Sequence, residues 1–261
     1  MQTVIVPVDF SETSLNAASY AAKFLSGLQG IKMIIYHSYA KDAEGENILP
    51  RLEELKQKLA TGGPVDIELL AHKEDDFVIG LERAVRHRAV DLVIMGITGK
   101  SAIAQAFFGS NTLKMAETKA CPVLIIPESA QFNQMENVML ASNFKDTLNT
   151  TPSVPIKKFL SIYNPKLHVV NVDKDHYISL TEKYEKEKQD LKDLLAEYEP
   201  EFYFMRLFDT DEAIDLFAND RKIDLIIAVQ RDHSFMEKLF STNRTKKMTY
   251  QSKLPILVLH Q

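Results

Sequence analysis

Only one cysteine and no tryptophan occur among the 261 residues. A lone Cys121 cannot close an intrachain disulfide, which excludes a disulfide-stapled scaffold and fits a reducing compartment. Glycine and proline are sparse, at 9 and 10 residues, too few for a low-complexity chain. No apolar run approaches the roughly 18 residues a membrane helix needs. The opening MQTVIVPVDF has neither a basic n-region nor a cleavage signal. The expectation is therefore a cytoplasmic protein without a membrane role. A basic surface is lacking too: 31 Lys and Arg face 36 Asp and Glu, a net charge of −5, which argues against nucleic acid as a partner. The seven histidines show no HExxH and no metal-ligand spacing. GxxxxGK[ST] and GxGxxG are both absent. What is present is ordinary globular composition, 45% hydrophobic and 26% charged, in a chain long enough for two domains.

The chain reads as one unit written twice. TVIVPVDFSETSLNAASYAAKFL begins at Thr3, and NVMLASNFKDTLNTTPSVPIKKFL begins at Asn137. Val8-Asp9-Phe10 matches Ser142-Asn143-Phe144. AVDLVIMG and KACPVLIIP in the first half match KIDLIIAV and SKLPILVLH in the second. Asp9 lies 82 residues before Asp91, and Asn143 lies 81 before Asp224. A tandem duplication explains this spacing, with domains at 1–128 and 135–261 and a polar linker between Pro127 and Asn137.

Within a half, apolar runs alternate with helical periodicity. VIVPV (4–8) is a continuous apolar run, as expected of a strand buried on both faces. Ser11 to Leu25 places Leu15, Ala18, Ala22 and Leu25 on one helical stripe. MIIYHSY, VDIELLA, DLVIMG and PVLIIP read as further strands. Helices are expected at Leu49–Ala60, Phe77–Arg88 and Thr112–Thr118. The second half repeats the order, with helices near Val154–Ile162, over Thr181–Tyr198 and at Asp211–Ala218. The fold class is α/β: two tandem doubly wound parallel five-stranded sheets with helices on both faces. The apolar strands PVLIIP and PILVLH would be exposed edges, and burying them against each other predicts an intrachain pseudo-dimer. A homodimer of the whole chain is compatible with that.

A ligand of such a sheet binds beyond the carboxyl ends of the strands, where strand order reverses. Asp9 follows the first strand. Gly96-Ile97-Thr98-Gly99 follows the fourth, and nine residues later comes Gly109-Ser110-Asn111, placed just before a helix. Gly96 and Gly99 suit a close backbone approach to a ligand or a positive φ. The amides after Gly109 and the Ser110 hydroxyl suit phosphate oxygens at a helix N-terminus. Asp9 suits ribose hydroxyls or an adenine amino group.

These residues make the chain resemble the universal stress protein family in its tandem form. The resemblance rests on VPVDFSE (6–12), on the G-x2-G-x9-G-[S/T] pattern met by Gly96, Gly99, Gly109 and Ser110, and on CPVLIIP (121–127). It implies an adenine nucleotide alpha hydrolase-like fold and ATP binding. Carried over, Pro7, Val8 and Asp9 meet adenine and ribose, and Ser38 lies by the adenine. Met95 and Gly96 border the ribose and phosphates. Gly99, Lys100 and Ser101 wrap the phosphates, with Gly109, Ser110 and Asn111 beneath. The ligand would be ATP, with Mg²⁺ as companion of the triphosphate.

The second half departs from this pattern. Asn143 stands for Asp9, Val229 and Asp232 for Gly96 and Gly99, and Ser241-Thr242-Asn243 for Gly-Ser-Asn. A β-branched side chain and a negative charge both oppose a triphosphate. The nucleotide site is thus expected in the N-terminal domain only. No general base with a fitting position is visible, so the expected role is a nucleotide-dependent stress or signalling module with an unnamed protein partner, not an efficient enzyme. The alternatives are a slow nucleotide hydrolase or adenylyl-transferring enzyme, and a ligand-free interaction protein. Plainer roles fall to the rest. Cys121 reads as a core thiol. His37 and His168, at related strand positions, read as structural, Phe107-Phe108 as cover for the core or loop, and EKYEKEKQDLKDLLAEYEPE as a solvated helix.

Overall fold

Each half begins with a short apolar run that is buried on both faces and must therefore be an interior strand. In the first half, β1 (Thr3–Pro7) leads to α1 (Glu12–Leu25), β2 (Lys32–Tyr39), α2 (Asp42–Ala60) and β3 (Asp66–Lys73). The chain continues through α3 (Phe77–His87), β4 (Leu92–Ile97), α4 (Phe108–Glu117) and β5 (Val123–Pro127). The computed structural model describes residues 1–97, 108–172, 182–205, 210–230 and 254–261. The strands are parallel in the order β3-β2-β1-β4-β5. Helices α1 and α2 pack together, as do α3 and α4. The order therefore reverses between β1 and β4.

The second half follows with β6 (Asn137–Ala141), α5 (Thr147–Thr150), α6 (Ser153–Leu160), β7 (Lys166–Val172), α7 (Glu182–Leu194) and β8 (Glu201–Met205). Then come α8 (Thr210–Asp220), β9 (Leu225–Gln230) and β10 (Ile256–His260), in the parallel order β8-β7-β6-β9-β10. The chain divides into two compact units, Met1–Asn133 and Gln134–Gln261. The segment read as a polar linker is not free. Phe132 is buried, with its ring 5.5 Å from both Tyr20 and Phe24, and the Asn16 amide donates to the carbonyls of Pro127 and Ala130.

Several helix boundaries differ from those expected. α2 starts at Asp42, not Leu49, and runs through Pro50, which removes one backbone donor without ending the helix. The helix expected at Thr181–Tyr198 ends at Leu194 and closes in a separate 3-10 turn, Ala196–Tyr198. The segment after β6 is two short helices, because Pro152 stands between them.

The duplication extends to individual hydrogen bonds. Asp91 Oδ2 accepts the amides of Gln2 and Thr3 at 2.5 and 3.1 Å; Asp224 Oδ2 accepts those of Glu136 and Asn137 at 2.7 and 2.9 Å. Each carboxylate ties the entry of its unit's first strand to the start of the fourth. Lys32 pairs with Glu68 at 3.1 Å, and Lys166 with Glu201 at 2.6 Å.

The two histidines are not equivalent, contrary to the sequence reading. Register pairs Thr3 with Lys32 and Asn137 with Lys166, so His168 matches Ile34, and His37 matches Asn171. The period-2 pattern of a strand does not fix its register, so counting from the edge of an apolar run misplaces it. His168 is 2% exposed, with Nε2 at 3.2 Å from Asn137 Oδ1 and Nδ1 at 3.9 Å from Glu201. Burial lowers its pKa from the usual histidine value; the Glu201 carboxylate opposes this, and Lys166 and Arg221 add to it. The unfolded chain therefore takes the proton first. The stability held by the neutral ring is full above the unfolded value and is lost as pH falls through the folded one. Thermal melts of wild type and His168→Ile test this. Between about pH 7 and pH 5 the wild type should lose stability relative to the variant; parallel curves over that range would refute the assignment.

Candidate functional site

The reversal of strand order puts the carboxyl ends of β1 and β4 side by side, with β2 flanking β1. Such a reversal opens a crevice between neighbouring loops. Pro7 and Val8 are buried beneath its rim, and Asp9 is the first half-exposed residue above them. Register pairs Pro7 with Tyr36, which brings Ser38, also half-exposed, to the same rim. Met95 is 5% exposed and closes the floor beside Gly96.

Asp9 is held by its own turn. Its Oδ1 accepts the Ser11 amide at 3.0 Å and the Ser11 hydroxyl at 2.6 Å. Ser11, not Asp9, caps α1, accepting the Ser14 amide at 3.3 Å. Among the described residues Oδ2 of Asp9 takes no hydrogen bond, so one carboxylate oxygen stays available at the rim. The next residue, Phe10, sits at φ 66, a left-handed conformation that is costly for a bulky side chain. Its ring is fixed by the Arg51 guanidinium at 3.8 Å and the His37 ring at 5.4 Å. His37 Nδ1 donates to the Val8 carbonyl at 2.7 Å, which fixes its tautomer and spends that nitrogen on the backbone.

Gly96 serves packing, a purpose the sequence reading did not name, and does not take the positive φ that was one of its two expected uses. A Cβ built there would lie 2.4 Å from the Thr13 carbonyl oxygen, so the glycine admits the first turn of α1 against β4. The Gly96 carbonyl accepts the Thr112 hydroxyl at 2.8 Å. Helix α4 begins at Phe108, so Gly109, Ser110 and Asn111 form its first turn instead of preceding it. Glycine and serine there masked the helix start, although amides of a first turn are the ones left without intrahelical partners. Gly99, Lys100, Ser101 and Phe107 lie outside the described residues.

The rim has no titrating thiol. Cys121 belongs to the core, where burial pushes its thiol up to about 12. Below Ser38, burial pushes the Tyr36 phenol up to about 12, and Glu74 adds to the shift. Two anchoring residues escaped the sequence reading, Thr13 and Thr112. Each acts through a main-chain carbonyl, which leaves no mark on residue type.

The second unit keeps the turn and loses much around it. Asn143 Oδ1 accepts the Lys145 amide at 3.1 Å, and Phe144 is left-handed at φ 47. Asn171 donates to the Ser142 carbonyl at 3.0 Å, as His37 does to Val8. Lys145 replaces Ser11 and cannot cap. Glu187 from α7 accepts the Thr147 amide instead, at 2.7 Å, and backbone hydrogen bonds at Thr147 and Asp146 help hold its carboxyl below the usual range. Val229 stands at the place of Gly96 on β9. Asp232 and Ser241-Thr242-Asn243 lie outside the described residues.

Comparison with known proteins agrees with this architecture. The profile described as Universal stress protein family matches residues 1–127. A curated relative from Thermus aquaticus, "Universal stress protein in QAH/OAS sulfhydrylase 3'region", is 30% identical over 139 residues, covering 48% of this chain and 98% of the relative. A universal stress protein from Archaeoglobus fulgidus DSM 4304 shares the fold, with a TM-score of 0.69 at 16% identity over 99% of this chain and 96% of that one. So does the cytoplasmic domain of a prokaryotic cation chloride cotransporter, at TM-score 0.58 and 12% identity, covering 98% of this chain and 94% of that one. The class is thus an α/β protein of two doubly wound units. The chain belongs to the universal stress protein family. No helix among the described residues is long and apolar enough to cross a membrane.

Because Gly96 touches backbone and not a flexible side-chain tip, its replacement cannot be relieved locally. Gly96→Ala should cost about 1–3 kcal/mol in urea unfolding, through displacement of α1. An unchanged urea midpoint would show that the contact yields freely.

Proposed function

We propose that the first unit binds an adenine nucleotide, ATP accompanied by Mg²⁺, at the carboxyl ends of β2, β1 and β4. The protein then serves as a nucleotide-responsive stress or signalling module, not an efficient catalyst. The observation that carries this reading is the uncommitted Oδ2 of Asp9 at the switch point, one strand away from an anchored helix N-terminus. A carboxylate suits ribose hydroxyls, and first-turn amides suit phosphate oxygens. Ser38 adds a hydroxyl on the same rim. These donors and acceptors fit a nucleotide, and the Asp9 oxygen also fits a hard cation that phosphates would mainly hold. The G-x2-G-x9-G-S pattern supports the same ligand.

Restriction to the first unit is supported by three differences in the second. Asn143 lacks the charge, Val229 fills the place of a glycine, and Glu187 puts a carboxylate on the Thr147 amide near the end of β6. Binding only to the folded first unit would stabilise it by mass action, which gives nucleotide level a physical readout.

The second unit supplies the natural test variant. Asp9→Asn preserves the turn acceptor, as Asn143 does, and removes only the charge. Calorimetry should find one ATP per chain for the wild type, and about tenfold weaker binding for Asp9→Asn, worth about 1.4 kcal/mol. Thermal stability without ligand should not change. No binding by the wild type at millimolar ATP would end this reading in favour of a ligand-free interaction protein, and two ATP per chain would end the restriction to one unit.

A further inference from the structure

Thr112 is 1% exposed, and its hydroxyl donates to a carbonyl sixteen residues back in sequence, that of Gly96, at 2.8 Å. The same glycine meets the Thr13 carbonyl from α1. One residue at the end of β4 is therefore gripped from two sides: by the first turn of α1 where a Cβ would be, and by α4 through its carbonyl. Thr13 is itself buried, at 6% exposure. The helices that flank the switch point, α1 and α4, thus both meet β4 at this residue. Thr112 lies just beyond Gly109, Ser110 and Asn111, so its bond fixes the first turn of α4, whose amides are the ones a helix start can offer a ligand.

We propose that Thr112 is a positioning residue for the nucleotide site: its bond to Gly96 registers the first turn of α4 over the end of β4 and thereby sets affinity for the phosphate groups. This rests on the reading of the first unit as an adenine nucleotide site. Hydrogen bonds from amides to a phosphate weaken steeply when angle and distance drift, so a helix free to shift by about half an ångström loses much of its grip. The base and ribose, held at the Asp9 and Ser38 side, do not depend on α4. Thr112 should therefore discriminate between ligands with and without phosphates, which a purely structural threonine would not do.

The test compares wild type, Thr112→Val and Thr112→Ser by calorimetry with ATP and with adenosine, beside melts without ligand. Thr112→Val keeps the volume and removes the hydroxyl; Thr112→Ser keeps the hydroxyl. The expected result is an ATP affinity about tenfold lower in Thr112→Val, recovered to within about threefold in Thr112→Ser. Adenosine should bind all three alike. Wild-type ATP affinity in folded Thr112→Val would overturn the proposal, as would equal losses for ATP and adenosine, or failure of Thr112→Ser to recover. Should Thr112→Val not fold, Thr112→Cys takes its place under the same expectations, as a weaker donor of similar size. A wild type that binds neither ligand at millimolar concentration would instead remove the nucleotide reading itself, and this proposal with it.

Discussion

A parallel sheet hands the chain from strand to helix at the same end every time, and each hand-over must leave no buried backbone group without a partner. In this protein the decisive hand-over follows β1. There a left-handed Phe10 turns the chain, Asp9 Oδ1 stabilises the turn from within, and Ser11 starts α1. The direction in which α1 leaves determines that it lies against β4, and the closeness of that contact requires Gly96. The crevice where strand order reverses is thus shaped by a turn of three residues and one missing side chain. Strain at Phe10 is held by rigid neighbours, the His37 ring and the Arg51 guanidinium, so the rim keeps its form without a ligand.

The internal duplication separates what the fold needs from what it does not. Asp91 and Asp224 perform the same double acceptance of amides, and Phe10 and Phe144 share the left-handed turn. These are requirements of the architecture, met twice. Where the copies part, the fold finds another solution. Lys145 cannot cap, so Glu187 reaches across from α7; the helix after β6 is broken by Pro152, and the strand position opposite it carries Val229 instead of glycine. A cap can come from any acceptor that reaches the amide, which is why the helix start survives the loss of Ser11.

The sequence was most legible where one physical signal dominates. Continuous apolar runs marked the strands, and the Asp9–Asp91 spacing marked the repeat, since burial and duplication both write directly into residue type. The rim was located for the same reason: parallel strands put ligands at their carboxyl ends. Legibility failed where a residue type serves two ends. A glycine that clears space for a ligand and one that clears space for a helix are the same letter, so residue type alone did not show that Gly96 admits α1. Gly109 and Ser110 read as loop although they open α4, because the first turn of a helix tolerates residues that its interior does not. The carbonyl partners of His37 and Thr112, and the approach of the Thr13 carbonyl to Gly96, were invisible because they join positions distant in sequence.

The comparison of Asp9 with Asn143 bears most directly on function. The turn after the first strand needs an oxygen acceptor two residues before the accepting amide, and a neutral amide oxygen meets that need at 3.1 Å as well as a carboxylate does at 3.0 Å. The negative charge of Asp9 is therefore surplus to folding. It stands half-exposed with an oxygen to spare, where solvation satisfies it and, among the described residues, no paired cation rewards it. A charge that the architecture does not require, placed at the crevice where strand order reverses, is the feature that the proposed nucleotide site would use. The second unit shows that the same turn forms without the charge, since Asn143 and Phe144 repeat it.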